Sequence, residues 1–230
     1  MTTDSWVSFW KSHGQSSTGL DPQSRVCRTS NKKPVDEATW EQTLAYVRGH
    51  LQVGRGAHVL DLCAGNGLFS RAFAADGAEV TAVDVSPDLL AELDALGLPA
   101  VRTRCQDMRE LDFAEGSFSH VFLYAGVQYL THAETVRLLR AAFGWLRPGG
   151  VLMLGDVPDG QLRWAFYNTP ERRRLFFDNL LQDKDVIGTW FDRAWILHLA
   201  EDAGFSEAQT LDQPSEQIYA HFRFDALMSR

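Results

Sequence analysis

The segment VLDLCAGNG at 59–67, followed by VTAVDVS at 80–86, limits the fold of this 230-residue chain more than any other. An apolar strand runs into a glycine-bearing turn, a helix follows, and a second strand ends on the acidic residue Asp84. Gly65 and Gly67 allow turn angles that residues with a β-carbon avoid, and they let a ligand approach the main chain. A carboxylate at the position of Asp84 can accept hydrogen bonds from both hydroxyls of a ribose. The pattern predicts one nucleotide-binding half of a doubly wound α/β sheet and a ligand with an adenosine-like ribose.

Spacing narrows the choice of nucleotide. A dinucleotide fingerprint, G-x-G-x-x-G, places its last glycine inside the helix and a pyrophosphate over the helix N-terminus. No glycine follows in LFSRAFAA, so a nicotinamide cofactor fits poorly. The alternative pattern D-x-x-x-G-x-G, starting at Asp61, resembles motif I of the class I S-adenosylmethionine (SAM) dependent methyltransferases. Three later segments follow in that family's order: CQDMREL at 105–111, FSHVFLYAGVQYL at 118–130 and LRPGGVLMLGD at 146–156. The resemblance covers 39–156 and departs from the family at Cys63, where a glycine is usual. It implies SAM as cofactor and S-adenosylhomocysteine as product. It also implies that Asp61 holds the amino acid part, Asp84 the ribose, and Asp107 the adenine amino group, with the Met108 amide at the ring. Cys63, Ala64, Gly65, Gly67, Val85, Gln106 and Tyr124 complete the implied cofactor contacts.

Periodicity fills in a Rossmann-like order. Strands are expected at 57–62, 79–84, 99–103, 119–125 and 150–156. Helices are expected at 39–51, 68–76, 87–96 and 131–146, with Ser86 as an N-cap and Pro87 in the first turn. A helix at 191–203 stopped by Gly204, then strands at 206–211 and 218–227 as an antiparallel hairpin, would complete a seven-stranded sheet. The whole reads as one domain: an N-terminal helical cap (1–38), a cofactor-binding core (39–157), a lid insert after strand five (158–190) and a C-terminal helix with the hairpin (191–230). In the cap, Trp6, Phe9 and Trp10 suggest a docked helix, and 21–34 reads as an irregular basic loop.

Composition agrees with a single enzyme domain, since 45% hydrophobic residues in 230 can bury one sizeable core. A formal charge of −8 argues against a nucleic-acid partner, which needs clustered cations. No basic start joins an apolar run, and no stretch nears the roughly 20 apolar residues that span a bilayer. The expectation is a soluble, cytoplasmic monomer or homodimer. Cys27, Cys63 and Cys105 lack paired metal-ligand spacing, so reduced thiols and no metal are expected.

The acceptor side is less defined. Tyr124, Gln128, Tyr129 and His132 follow strand four, where the family places groups near the methyl; they either touch substrate or pack the loop. Asp156 and Asp159 end strand five, as a base or hydroxyl anchor or as solvated strand-end acids. Tyr129, His132, Asp156 and Tyr124 are the catalytic candidates. Arg25, Arg28, Lys32 and Lys33 could hold an anion or be solvated loop charges. Gln128, Tyr129, Asp159, Trp164 and Tyr167, together with Tyr219, His221 and Arg223 on one strand face, complete the substrate candidates. SRVCRTSNKKPV, LDLCAGNG, LMLGDVPD and YAHFRFD also resemble stand-alone methyltransferases of polysaccharide and natural-product biosynthesis. That resemblance implies O-methylation of a sugar, phosphate-like or carboxylate acceptor, with a small amine or a regulatory SAM-binding role as alternatives.

Overall fold

VLDL, VTAVD and VFLY place β-branched and large apolar side chains on both faces of their strands, as a sheet covered by helices on both sides requires. A computed structural model describes residues 3–30, 33–182, 184 and 186–230, so Lys32 lies outside the described residues. In chain order the elements are α1 (Thr3–Ser16), α2 (Pro22–Arg25), α3 (Glu37–Leu51), β1 (His58–Leu62), α4 (Leu68–Ala75) and β2 (Glu79–Asp84). Next come α5 (Pro87–Ala95), β3 (Val101–Cys105), β4 (Phe118–Tyr124), α6 (His132–Trp145) and β5 (Leu146–Pro158). The insert holds α7 (Arg163–Phe166) and α8 (Pro170–Leu180), and α9 (Arg193–Ala203), β6 (Glu207–Asp212) and β7 (Arg223–Ser229) follow.

The seven strands form one sheet in the order β3-β2-β1-β4-β5-β7-β6. The first five are mutually parallel, and β7 runs antiparallel to β5 and β6. Strand order reverses between β1 and β4, which opens a crevice at their carboxyl ends, where ligands of doubly wound sheets bind. Alternation along each strand feeds two cores. Leu60, Leu62, Val121 and Leu123 pack toward α6 and α9, while Val59, Phe122 and Met153 pack toward α3 and α4. Ser86 caps α5 with Pro87 in its first turn, and Thr131 and Glu134 close a capping box on α6.

Three expectations needed correction. β5 begins at Leu146, earlier than the expected 150, because Leu146 pairs with Phe118 ahead of a register shift. β7 begins at Arg223, since 217–222 folds as turns closed by Ala220 N–H to Gln217 O and Phe222 N–H to Tyr219 O. Phe222 is thereby buried in a small aromatic core with Tyr167, Phe176 and Trp190 of the insert. The basic loop is more ordered than its composition suggested. Asp21 caps α2, and Thr29–Ser30 pairs with Lys33–Pro34.

α1 lies directly on α5. A β-carbon at Gly14 would sit 2.0 Å from Ser86 Oγ, the cap of α5. Gly14→Ala is therefore expected to push the helices apart at a cost of about 1–3 kcal/mol, read as a lower midpoint in calorimetric unfolding.

Candidate functional site

The chain leaves the central strands through unusual backbone. Cys63 after β1 (φ 56°), Ala125 after β4 (φ 53°) and Asp156 within β5 (φ 60°) are all left-handed despite their β-carbons. Such residues cost roughly 1–3 kcal/mol each and persist where the surroundings over-determine them. All three line one cavity at the strand ends. The N-terminal cap supplies the opposite wall through Trp6, Val7 and Trp10 of α1 and Val26, Cys27 and Arg28 beyond α2. Contact is close: a β-carbon at Gly65 would lie 2.7 Å from Val26 Cγ1.

At one end of the cavity stands Asp84. Its Oδ2 accepts the Gly65 N–H and its Oδ1 accepts the Ser86 N–H, both at 2.8 Å. These bonds fix the carboxylate and leave further lone pairs on both oxygens. Burial raises the Asp84 pKa, and the backbone donors pull it back. Cys63, Ala64, Val85, Gln106, Asp107 and Met108 line the same end. Asp107 accepts the Arg109 N–H at 2.9 Å and is gripped through both oxygens by the Arg109 guanidinium. Arg109 also reaches Asp4 of α1 at 2.7 Å and Glu134 of α6 at 3.2 Å, which ties the cap to this end of the site. The side chain of Gln106 is engaged by Arg104 and the Glu110 carbonyl. Burial pushes the Cys63 thiol well above its usual pKa, which makes it a poor nucleophile.

Tyr124, Tyr129, Tyr219, Asp156 and Arg28 form the other end. The Tyr124 hydroxyl donates to Gln217 Oε1 at 3.1 Å, and burial raises the phenol pKa of both Tyr124 and Tyr129. Tyr129 packs its ring against Trp6 and Trp10, with centroids 4.9 and 5.8 Å away. The Asp156 N–H donates to Asp225 Oδ1 at 2.7 Å, and Gln213 Nε2 bridges both carboxylates. The Arg223 guanidinium lies 3.6 Å from Asp156 Oδ2 and donates to the Asp156 carbonyl. Burial lifts the Asp225 pKa to about 6.

Several sequence candidates stand elsewhere. Asp61 does not line the cavity; its Oδ2 accepts the Ser70 hydroxyl at 2.5 Å behind the turn. Gly67 is a packing glycine, since a β-carbon there would meet Leu93 Cδ1 at 2.4 Å. Arg25 is a buried strut paired with Glu92 at 2.8 Å. Gln128 accepts from Arg223, and with His132 it lines a second recess below the insert. The His132 ring also packs against Phe191 and edge-on against Trp195, outside the cavity that holds Asp84 and Asp156. Asp159 pairs with Arg193 at 2.7 Å. Trp164 is half exposed, Tyr167 belongs to the insert's own core and His221 is exposed. Arg223 sits behind Asp156 because 219–222 is a turn, which breaks the shared strand face. Among the described residues of 158–190 none lines this cavity, which the cap covers; the insert instead lines the second recess, which shares Trp6 and Tyr129 with it. Trp6 and Trp10, i and i+4 on α1, reach the site through a spacing that already marked one helix face.

Desolvation, countered in part by Ser70, raises the Asp61 carboxyl from 3.8 to about 7. The native state then holds a proton that the unfolded chain has already lost, so stability falls as pH rises between those values and is level above them. Asp225 adds the same sign up to about 6. Asp61→Asn keeps an acceptor for Ser70 and is expected to flatten the dependence, measured as unfolding midpoints of both proteins across that range.

The cavity offers a ribose acceptor at Asp84, apolar walls from Val83, Leu89 and Met108, and, among the described residues, Arg28 as its one lining cation. That donor set suits an adenosyl group without phosphates, because a pyrophosphate would need a cradle of amides and cations. A methyltransferase-domain family model matches residues 59–150. A ubiquinone biosynthesis O-methyltransferase of Xanthomonas oryzae pv. oryzae is 35% identical over 118 residues, covering 50% of this chain and 48% of that protein. The chain spans about half the length of the curated relatives it matches. Phosphoethanolamine N-methyltransferase 1 of Haemonchus contortus superposes with a TM-score of 0.70 at 17% identity, covering 99% of this chain and 48% of that one. A SAM-dependent methyltransferase of Mesorhizobium loti gives 0.62 at 19% identity, covering 85% and 99%. In its methyltransferase-domain match, its strand order and its cavity, the chain is similar to the class I SAM-dependent methyltransferases, and the cavity's donor set suits their cofactor.

Proposed function

We propose that this protein transfers a methyl group from SAM to an oxygen of a small polar or anionic molecule: a sugar, a phosphate-like compound or a carboxylate. The bound cofactor supplies an electrophilic methyl on a sulfonium. The chain's task is to hold the nucleophile in line and keep water out. Trp6, Trp10 and Tyr129 form the dry wall of the cavity. The observation that carries the oxygen reading is Asp156, a cavity-lining carboxylate set by left-handed backbone and oriented by Gln213 and Arg223. A carboxylate so placed takes the proton that a hydroxyl must lose on methylation. A net charge of −8 favours a small acceptor over a nucleic acid, and nothing in the proposal requires more than one copy of the chain.

Methylation of a small amine is the second reading. Three tyrosines and a carboxylate around one space also suit a cationic group. The two readings separate in one experiment: the protein is incubated with methyl-labelled SAM and a panel of sugars, sugar phosphates, hydroxy acids and small amines. Labelled product on oxygen with equimolar S-adenosylhomocysteine is expected. Label on nitrogen alone would replace the first reading with the second, and tight SAM binding without turnover on any class would favour a regulatory role.

A further inference from the structure

Three guanidinium groups are buried in the described residues: Arg25, Arg28 and Arg223. Two have an acid. Arg25 pairs with Glu92 at 2.8 Å, and Arg223 lies 3.6 Å from Asp156. Arg28 takes part in none of the ion pairs among the described residues. It is 8% exposed and lines the cofactor cavity. One amino group donates to Thr43 Oγ1 at 3.3 Å, while Nε has no partner. The plane sits among the rings of Trp40, Tyr124 and Phe69, at 5.1, 5.2 and 6.0 Å.

An arginine does not escape burial by losing its proton. Aromatic faces offset part of the desolvation, but a guanidinium out of water needs an anion to complete its fork of donors. Among the described residues that anion is supplied to Arg25 and Arg223 and not to Arg28, on the cavity wall.

Resting on the reading that this cavity takes an adenosyl cofactor, we propose that Arg28 anchors a ligand oxyanion, completing from outside the ion pair that the fold leaves open. Two sources carry that chemistry: the cofactor's own amino acid carboxylate, and a carboxylate or phosphate on the acceptor. The charge inventory favours the cofactor. It brings one carboxylate into a cavity already lined by Asp84, Asp107 and Asp156, and among the described residues Arg28 is the one cation lining it. In either case the ligand's charge fastens the cap segment to the sheet.

Calorimetric titration of wild type, Arg28→Met and Arg28→Lys tests this with two nucleosides. S-adenosylhomocysteine carries the amino acid carboxylate, and 5′-methylthioadenosine keeps the adenosine and sulfur without it. A loss of tenfold or more for S-adenosylhomocysteine in Arg28→Met, with methylthioadenosine unchanged, is expected and assigns the anion to the cofactor. Arg28→Lys should fall between, keeping the charge but not the fork. Unchanged affinity for both nucleosides, with acetate or inorganic phosphate binding wild type loaded with S-adenosylhomocysteine but not the loaded variant, assigns it to the acceptor. Equal losses for both nucleosides mean that Arg28 only supports the wall, and that overturns the proposal. So does equal binding of all four probes by wild type and variant. A wild type that binds neither nucleoside overturns the cofactor reading instead, and the acetate and phosphate titrations then judge Arg28 by themselves.

Discussion

Asp84→Ala is expected to lose about a hundredfold or more in affinity for S-adenosylhomocysteine. Hydrogen bonds to a charged group contribute about 1.5–3 kcal/mol each, and each 1.4 kcal/mol is about tenfold in Kd. Two ribose hydroxyls therefore account for a loss of that size. The carboxylate also receives the Gly65 and Ser86 N–H groups, so its removal frees the turn that faces the ligand. Asp84→Asn keeps the shape but turns one acceptor into a donor, and it should fall between wild type and Asp84→Ala. Titration calorimetry on both variants decides the matter. An unchanged Kd in Asp84→Ala would remove the ribose from this end of the cavity and with it the orientation assumed for the cofactor.

On a hydroxyl acceptor, Asp156→Asn is expected to slow turnover by about 100- to 10,000-fold, the usual contribution of a positioned base. The KM for SAM should change little, because Asp156 on β5 lies three strands across the sheet from Asp84 on β2. Asparagine retains an acceptor for Gln213, and the main-chain carbonyl of 156 still accepts from Arg223, so the strand end should keep its shape although the carboxylate's pairing with the guanidinium is lost. Release of S-adenosylhomocysteine, followed at several pH values, is the measurement. If the variant keeps the wild-type rate, positioning alone drives the reaction and the acceptor atom needs no base.

Much of the fold could be read in the chain because its signals are local. VLDLCAGNG and VTAVDVS each encode a strand, a turn and an acid within a few residues, and β1, α4 and β2 form where that pattern puts them. The capping residues of α5 and α6 are equally local. The failures depended on distant partners. The alternation of Tyr219, His221 and Arg223 looks like a strand, yet Phe222 gains more by joining Tyr167 and Trp190, some fifty and thirty residues earlier, and the segment turns. Asp61 stands one residue before the end of β1 and Asp84 ends β2, but Ser70 on α4 holds the first away from the cavity while the amides of Gly65 and Ser86 aim the second into it. Arg25 and Arg28 are three residues apart, at the end of α2 and just beyond it. Only the position of Glu92 on α5 makes one a strut and leaves the other facing the cavity.

The left-handed residues at Cys63, Ala125 and Asp156 have a consequence for engineering. Each stores strain at the edge of the sheet where a ligand binds, and a glycine at any of them relieves it. Ala125→Gly removes no polar group and is expected to raise the unfolding midpoint, a gain of about 1 kcal/mol at most once glycine's backbone entropy is counted. Such changes also loosen the strand tips that hold Asp156 and the glycine turn in place. Thermostability in this protein is therefore gained most readily at the positions where catalytic precision has most to lose.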